Sequence, residues 1–177
     1  MLEIRLIDSV NKQDINIKNE PFSLWGRMIP TYLNEEWQYT VCKFSQQDIS
    51  EMCFPDENYD YDSLSRNSIF IGAYDNNNCI GLAILQDGFF KYIYLYDLKV
   101  NKSYRKQGVA NMLIQKAKEV AIERGYRGIY TQGQDNNLSA CLFYLNAGFH
   151  IGGLNTDVYK GTMQEGKADI LFYLDVQ

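Results

Sequence analysis

The amino-acid sequence predicts a single α/β domain with a mixed sheet. A hairpin pattern comes first, because two apolar runs flank the turn-forming residues 75–78 in SIFIGAYDNNNCIGLAILQ. Strand and helix patterns then alternate through the second half of the chain. The hairpins exclude a purely parallel sheet. A chain of 177 residues without repeats or low-complexity linkers has the size of one domain, residues 1–177.

Local periodicity predicts the elements one after another. The N-terminal MLEIRLIDSV alternates apolar and polar residues and predicts a strand; FFKYIYLYDLKV, rich in aromatic and β-branched residues, predicts a central strand covered on both faces. Apolar residues at helical spacing predict a helix over residues 108–124 that ends at Gly125. The remainder predicts a strand at RGIYTQGQ, a short helix at NNLSACLFYLNAG capped by Gly148, and closing strands at FHIGGL and ADILFYLDV.

Composition and charge narrow the classes of function. The formal net charge of −5 disfavours a nucleic-acid-binding surface and suits a small cationic substrate. No stretch approaches the length of about eighteen apolar residues that crosses a membrane. The N-terminus lacks the basic flank and apolar run of a secretion signal. We therefore expect a cytoplasmic protein without a membrane segment.

The cysteines and the histidine do not form a metal-binding pattern. Cys42, Cys53, Cys79 and Cys141 include no CxxC pair, and His150 is the only histidine. We therefore expect no metal, and we expect the cysteines to be reduced and mostly involved in packing. The histidine is expected at an exposed strand position.

The stretch SYRKQGVANMLIQKA, residues 103–117, joins the central strand to the long helix. The first N–H groups of a helix have no intrahelical partner and lie at the positive end of its dipole, so anions bind there. Gly108 would let a ligand approach the backbone, and Arg105 could make forked contacts to phosphate oxygens. The loop matches neither GxxxxGK[ST] nor GxGxxG. Taken alone, it predicts either a phosphate site or an ordinary helix start.

Two motifs resemble those of a known family. R-x-x-G-x-A at residues 105–110, between a strand and a long helix, resembles the acetyl-coenzyme A pyrophosphate loop of the GNAT N-acetyltransferases. NLSACLFYLNAGF resembles the second motif of that superfamily, N-x-x-A-x-x-[FY]-Y-x-x-x-G-F. The resemblance implies the GNAT (acyl-CoA N-acyltransferase) fold, an α/β fold with a mixed, mostly antiparallel central sheet flanked by helices, and acetyl-CoA as the acetyl donor. Ala110 replaces the usual glycine at the end of the loop, which adds only a methyl group.

A finer resemblance spans most of the chain. EPFSLWGRMIPTYLNEEWQYT and TQGQDNNLSACLFYLNAGFHIG are similar to streptothricin acetyltransferases. This implies resistance through acetylation of an amine in the β-lysine part of streptothricin, by direct attack in a ternary complex that needs neither metal nor acyl-enzyme. Two alternatives stay open: another amine acceptor, such as a different cationic antibiotic, a polyamine or a peptide, and a non-catalytic acetyl-CoA sensor. The oligomeric state is also open, a homodimer among the alternatives.

The same resemblance implies which residues hold the donor. Backbone N–H groups around Gly108 would bind the pyrophosphate, with nearby cations assisting, and the backbone of the central strand would pair with the pantetheine arm. Asn137 and Tyr144 are seven residues apart, so both could face one extended cofactor from one side of a helix. The expected donor-binding residues are Leu98, Lys99, Val100, Arg105, Lys106, Gln107, Gly108, Val109, Ala110, Asn137, Ala140 and Tyr144.

Acetyl transfer to an amine needs a proton acceptor and a group that stabilises the leaving thiolate. Asp97 is the candidate base, because it lies in the central strand where the family commonly places residues or waters that remove this proton. The alternative is that Asp97 pairs with a neighbouring cation or caps a strand bulge. No glutamate occupies that region of the strand. Tyr144 is the candidate donor to the thiolate, against the alternative of core packing, which we expect for Phe143.

Tyrosines and carboxylates are the candidate acceptor-binding groups. Tyr94 and Tyr96 alternate along the central strand and could line the acceptor pocket. Glu35 and Glu36 supply negative charge for a polycationic acceptor. The acidic run PDENYDYDS, residues 55–63, is either a solvated loop or a mobile acidic lip that steers the cation into the cleft.

Overall fold

The computed structural model describes residues 1–88 and 90–176. These residues group into two compact units. Unit 1 comprises residues 1–21 and 53–129 and the C-terminal residues from Asp175, and unit 2 comprises residues 22–52 and 130–174. The elements in chain order are β1 (Leu2–Ile7), β2 (Phe22–Leu24), β3 (Gly26–Leu33), β4 (Glu36–Lys43), β5 (Ser50–Met52), α1 (Tyr61–Leu64), β6 (Ser68–Asp75), β7 (Asn78–Gln86), β8 (Tyr92–Val100), α2 (Val109–Glu123), β9 (Gly128–Gln134), α3 (Leu138–Asn146), β10 (His150–Asn155) and β11 (Asp169–Asp175).

Unit 1 is built on four antiparallel strands in the order β1-β6-β7-β8. The predicted N-terminal strand and the predicted hairpin are both confirmed. The hairpin turn is formed by Asn76 and Asn77, whose φ angles of 49° and 68° are typical of a type I′ turn, which matches the twist of antiparallel strands. Asparagine tolerates this left-handed backbone better than most residues do.

The predicted central strand is β8, and its two faces differ. Ile93 and Leu95 are buried on one face, whereas Tyr96 on the other is 42% exposed. Tyr92 and Tyr94 are half-buried, so the expectation that both faces are covered is wrong at Tyr96. The strand also carries a bulge, since Asp97 pairs with Ile84 while Leu95 pairs with the next residue of β7. The residue between them, Tyr96, is the extra one, and such an insertion bends the strand and redirects its side chains.

The predicted helix is α2, and its apolar face packs on β6, β7 and β8. Leu113, Ala117 and Ala121 are fully buried on this face. Gly81 in β7 lets the helix approach closely, because a Cβ at that position would lie 3.3 Å from side chains of the helix. This packing fixes where the N-terminus of α2 lies relative to the end of β8.

Both predicted glycine stops are confirmed. Gly125 follows α2 with φ +75°, and Gly148 follows α3 with φ +95°. The N–H of the residue after each glycine donates to a carbonyl five residues back, at 2.9 Å in α2 and 3.0 Å in α3. This bonding satisfies carbonyls that the end of a helix would otherwise leave unpaired.

In unit 2, residues 130–134 of β9 lie in a sheet with β11 and β10, and the last two strands pair antiparallel. These three strands and the short helix α3 confirm the sequence prediction for the C-terminal part of the chain. The helix buries Leu138, Cys141 and Tyr144 and contacts β2, β3 and β10. Asn137 is its N-cap.

Two strand pairs in unit 2 were not predicted. β2 pairs with β5, and β3 pairs with β4 in an antiparallel hairpin whose turn residues, Asn34 and Glu35, have positive φ. No helix among the described residues is long and apolar enough to cross a membrane. The expectation that residues 1–177 form one domain stays a prediction.

Candidate active site

The loop before α2 presents an open stretch of backbone. Gly108 has φ +83°, and a Cβ placed there would meet nothing within 4 Å. Lys106 also has a positive φ, of 61°. Left-handed residues in a loop turn successive N–H groups toward one concave side, and the helix that starts at Val109 adds its own unpaired N–H groups. The backbone here therefore fits an anion that approaches Gly108 closely.

Arg105 holds this loop in place. Its Nε donates to the Val100 carbonyl at 3.0 Å, and its two terminal nitrogens donate to the carbonyls of Pro21 at 2.8 Å and Glu20 at 3.4 Å. The guanidinium thus binds three backbone oxygens of its own unit, and its forked contact with a phosphate stays a prediction. Lys106 is exposed, which leaves its charge at the rim of the loop.

A buried polar cluster surrounds the candidate base. Lys99 Nζ lies 3.1 Å from Asp97 Oδ2 and 2.7 Å from a carboxylate oxygen of Glu57. The hydroxyl of Tyr59 donates to Asp97 Oδ2 at 3.1 Å. Only 16% of the Asp97 side chain and 11% of the Lys99 side chain are exposed. Asp97 and Lys99 are two residues apart in one strand, which places them on the same face.

Electrostatics in this cluster act on Asp97 in opposite directions. Burial raises the pKa of Asp97 above its ordinary value, and the charge of Lys99 and the hydrogen bond from Tyr59 oppose that rise. Burial and the charges of Asp97 and Glu57 raise the pKa of Tyr59, so its hydroxyl stays protonated and acts as a donor. Burial acts against ionised Glu57, but hydrogen bonds from Asn19 and Lys99 hold the pKa of its carboxyl below the usual value.

The structure shows the pairing with a cation that the alternative interpretation of Asp97 predicts. It also leaves Asp97 able to act as a base. Asp97 does pair with a cation, Lys99, and it follows the bulge residue Tyr96. Both described contacts reach Oδ2, and Oδ1 accepts no hydrogen bond from the described residues. The second oxygen could therefore receive a proton while the first keeps the side chain in place.

The rings of Tyr59, Tyr94 and Tyr96 lie close to one another near Asp97. The ring of Tyr96 lies 6.0 Å from that of Tyr59 and 5.9 Å, edge-on, from that of Tyr94. Tyr94 and Tyr96 were predicted from the sequence, whereas Tyr59, Glu57 and Lys99 were not predicted as neighbours of the base. The Asp97–Lys99 spacing was a usable signal for one of them, because alternate residues of a strand share a face.

The acidic segment is fastened to unit 1. Asp56 accepts a hydrogen bond from the Asn19 N–H at 2.8 Å, and Glu57 accepts one from the Asn19 side chain at 2.9 Å. Asp62 pairs with Lys12 at 3.1 Å. The acidic residues of the segment are exposed, as expected for a solvated loop, and the segment brings Tyr59 to Asp97. Its role as a mobile lip stays a prediction.

In unit 2, Asn137 caps α3. Its side-chain oxygen accepts the Ala140 N–H at 3.2 Å. Asn137 precedes the first residue of the helix. The expectation that Asn137 and Tyr144 both lie within one helix is therefore wrong for Asn137. The amide nitrogen of Asn137 is the part of the side chain that remains for a ligand.

Tyr144 packs in an aromatic cluster of unit 2. Its ring centroid lies 5.5 Å from Phe143, 5.4 Å from Phe149 and 5.3 Å from Phe172, and the side chain is nearly buried. Such packing fixes the direction of the ring. The role of its hydroxyl toward a thiolate stays a prediction.

The predicted acceptor carboxylates of unit 2 lie at the tip of the β3–β4 hairpin. Glu35 is a turn residue, and Glu36 begins β4; both are exposed. Glu36 lines an open groove of about 480 Å³ together with Trp37, Tyr39 and His150. Within residues 1–88 and 90–176, no group of three or more His, Cys, Asp or Glu side chains could hold a metal ion.

Comparison with known proteins identifies relatives over the whole chain. The sequence profile of the acetyltransferase (GNAT) family matches residues 30–149. Streptothricin acetyltransferase A of Bacillus subtilis (strain 168) is 35% identical over 164 residues, which cover 93% of this chain and 94% of that protein. A Bacillus anthracis (strain Ames) protein assigned as a streptothricin acetyltransferase, solved in complex with acetyl coenzyme A, superposes with a TM-score of 0.87 at 30% identity over 99% of each chain.

A nourseothricin acetyltransferase superposes with a TM-score of 0.80 over 99% of each chain; at 20% identity this likeness shows the fold alone. The predicted GNAT fold, with a mixed and mostly antiparallel sheet, is confirmed. The chain belongs to the GNAT acetyltransferase family.

Proposed function

We propose that this enzyme transfers the acetyl group of acetyl-CoA to an amine in the β-lysine part of streptothricin and so confers resistance to that antibiotic. The observation that carries the proposal is likeness over nearly the full length to a protein assigned to this activity and solved with acetyl coenzyme A. The 35% identity to the Bacillus subtilis enzyme over 93% of the chain supports the same acceptor. We expect the enzyme in the cytoplasm, where its four cysteines would remain reduced.

The donor would bind through backbone more than through charge. Open space at Gly108 and the unpaired N–H groups from Gln107 to Ala110 suit the pyrophosphate. Arg105 keeps the loop in shape by binding three carbonyls, and Lys106 adds charge from the rim. The backbone of residues 98–100 is proposed to pair with the pantetheine arm, as the family resemblance implies. For unit 2, the family resemblance implies donor contacts at Asn137, Ala140 and Tyr144.

The chemistry requires a neutral amine. An alkyl amine with a pKa of about 10 is roughly 99.9% protonated at pH 7, and removing the proton costs about 4 kcal/mol unless the site accepts it. Asp97 would accept this proton, directly or through water, and its burial raises its pKa toward that task. The nitrogen then forms a bond to the acetyl carbon, and the carbon–sulfur bond breaks. The proton that the nitrogen loses on becoming an amide balances the proton that the thiolate takes up to leave as free thiol. The hydroxyl of Tyr144 would donate to the leaving sulfur.

The acceptor is a polycation, and both units offer groups that suit it. In unit 1, Tyr94 and Tyr96 present rings beside Asp97, and aromatic faces attract ammonium groups. In unit 2, Glu35 and Glu36 present exposed carboxylates. The net charge of −5 would favour approach of a cation, an effect that salt should weaken.

Release of free thiol from acetyl-CoA in the presence of streptothricin tests the proposal. We expect acceptor-dependent thiol release and a streptothricin product heavier by one acetyl group. Calorimetric binding of acetyl-CoA without transfer to any amine would instead identify a non-catalytic sensor. Transfer to a polyamine or peptide, with streptothricin no better than water, would identify a different acceptor.

A further inference from the structure

β4 has an outer edge without a partner strand among the described residues. Seven of its eight residues are exposed, all except Trp37. Its pairing with β3 is regular from Gly26–Lys43 to Leu33–Glu36, without a bulge. A long, regular, exposed edge pairs readily with another strand unless the protein covers or blunts it.

The hairpin turn determines which backbone groups face this edge. Asn34 and Glu35 have φ angles of 53° and 63°, which make a type I′ turn closed by a hydrogen-bonded pair, Leu33 and Glu36. Hydrogen-bonded pairs alternate along an antiparallel ladder. The N–H and C=O groups that point away from β3 therefore belong to Trp37, Tyr39, Val41 and Lys43.

Within the hairpin, only the outer edge of β3 has features that hinder pairing with another strand. Pro30 lies opposite Tyr39, at a pair without hydrogen bonds, so its missing N–H falls on the outer edge of β3. On that same edge Gly26 forms a bridge with Asn137. β4 has no proline and no bulge, and Lys43 is the only charged residue at its outward-facing positions.

The hairpin also exposes apolar side chains. Large hydrophobic residues that are 38–58% exposed concentrate in it: Ile29, Tyr32, Leu33, Tyr39 and Val41. A two-stranded hairpin is marginally stable in water, and added strands stabilise it. The edge and its side chains thus favour a strand partner rather than solvent.

We propose that β4 pairs antiparallel with β4 of a second copy of this chain, about a two-fold axis at Thr40. In this register Trp37 lies opposite the partner's Lys43, and Tyr39 lies opposite the partner's Val41. Two-fold symmetry repeats both contacts, so all four outward residues pair and form about eight backbone hydrogen bonds. Shifting the register by two residues leaves either Trp37 or Lys43 without an outward partner in β4.

The side chains match in this register, which favours a second copy over an unrelated partner. The Lys43 ammonium would face the indole of Trp37, a cation–aromatic contact, and the apolar Tyr39 and Val41 would meet across the axis. The proposal concerns a surface of unit 2 and does not depend on which amine the enzyme acetylates.

A single cysteine at the axis tests the register. Thr40 would face the partner's Thr40 in a non-hydrogen-bonded pair, with Cα atoms about 4.5 Å apart, within the range a disulfide spans. Thr40→Cys, in a background where the exposed Cys42 and Cys53 are replaced by serine, should give a covalent dimer of twice 20.5 kDa when oxidised with glutathione disulfide. Thr31→Cys, exposed on the same hairpin, is the matched control and should remain monomeric on a non-reducing gel.

Light scattering after size exclusion tests the dimer itself. The unmodified chain should have twice the monomer mass, and Val41→Pro should weaken dimerisation at least about tenfold, because it removes an outward N–H while sparing the β3–β4 ladder. Unchanged circular dichroism would show that the variant folds. A monomer at every concentration, equal cross-linking of the two cysteine variants, or a Val41→Pro dimer as stable as the unmodified one would each overturn the proposal.

Discussion

The carboxylate of Asp97 is held by two neighbours, Lys99 and Tyr59, which both favour its ionised form. The proposed base is active only when ionised, so activity should fall as the pH drops through its raised pKa. Tyr59→Phe removes a hydrogen bond to the carboxylate and should move this limb of the pH–rate profile to higher pH, by up to about one unit. Lys99→Met should move it further, since the charge of Lys99 is the larger opposing influence.

Tyr61→Phe is the matched control for this measurement. Tyr61 lies in the same segment as Tyr59, but its ring packs on Phe70 at 5.2 Å. Its profile should superpose on that of the unmodified enzyme. Equal profiles for all of these proteins would remove Asp97 from the proton-transfer step.

At Tyr144 the proposed hydroxyl role can be separated from the observed ring packing. Tyr144→Phe keeps the ring against Phe149 and Phe172, so it should preserve the aromatic packing and lower thermal stability less than removal of the ring does. Loss of the donor to the sulfur should lower kcat by about 100-fold with little effect on acetyl-CoA affinity. Tyr144→Leu should lower both kcat and the melting temperature, because it also removes aromatic packing. A Tyr144→Phe enzyme with unchanged kcat would leave this residue with packing alone.

Arg105 is expected to act through geometry rather than charge. Arg105→Lys keeps the charge but loses the fork that reaches three carbonyls. Its KM for acetyl-CoA should rise about tenfold, nearly as much as in Arg105→Ala, whereas the exposed Lys106→Ala should change it about twofold or less. Steady-state kinetics at varied acetyl-CoA check this. Full rescue by lysine would restore Arg105 as a phosphate ligand.

At the scale of elements, α2 offers a matched pair of glycines. Gly108 before the helix and Gly125 after it have φ angles of +83° and +75°, and a Cβ added at either position would meet no other atom within 4 Å. Alanine at either site should cost about 1–2 kcal/mol through the left-handed backbone. Only Gly108→Ala should also raise the KM for acetyl-CoA, by about tenfold, because its methyl group enters the proposed anion site. The same KM change in Gly125→Ala would show that strain, and not the site, is responsible.

Elements with strong local signals were predictable from the sequence, whereas features that depend on strand register, or whose local signal is obscured, were not. The apolar spacing of α2 and its glycine stop identified the helix. The bulge at Tyr96 depends on how β8 registers against β7, and local composition carries no record of that register. The β3–β4 hairpin contains Pro30 and mixed side chains, which obscure the alternation that marks a strand.

At the scale of the whole molecule, the sequence predicts the site residues that lie in contiguous motifs, but not those that only folding brings together. The motif residues around Gly108 and Asn137 could be located because each motif is contiguous in sequence. Tyr59 reaches Asp97 across 38 residues of sequence, and its role follows only from the folded chain. Two of the three carbonyl partners of Arg105 precede it by more than eighty residues. Its positioning role therefore could not be predicted from the sequence either.

The central claim is that the acceptor is streptothricin, and a comparison of kcat/KM among acceptors tests it most directly. Thiol release from acetyl-CoA would be followed with streptothricin, a polyamine and an aminoglycoside under the same conditions. We expect streptothricin to exceed the other two by at least about 100-fold in kcat/KM, a difference of about 2.7 kcal/mol in transition-state binding. A polyamine or an aminoglycoside that equals or exceeds streptothricin would contradict the account.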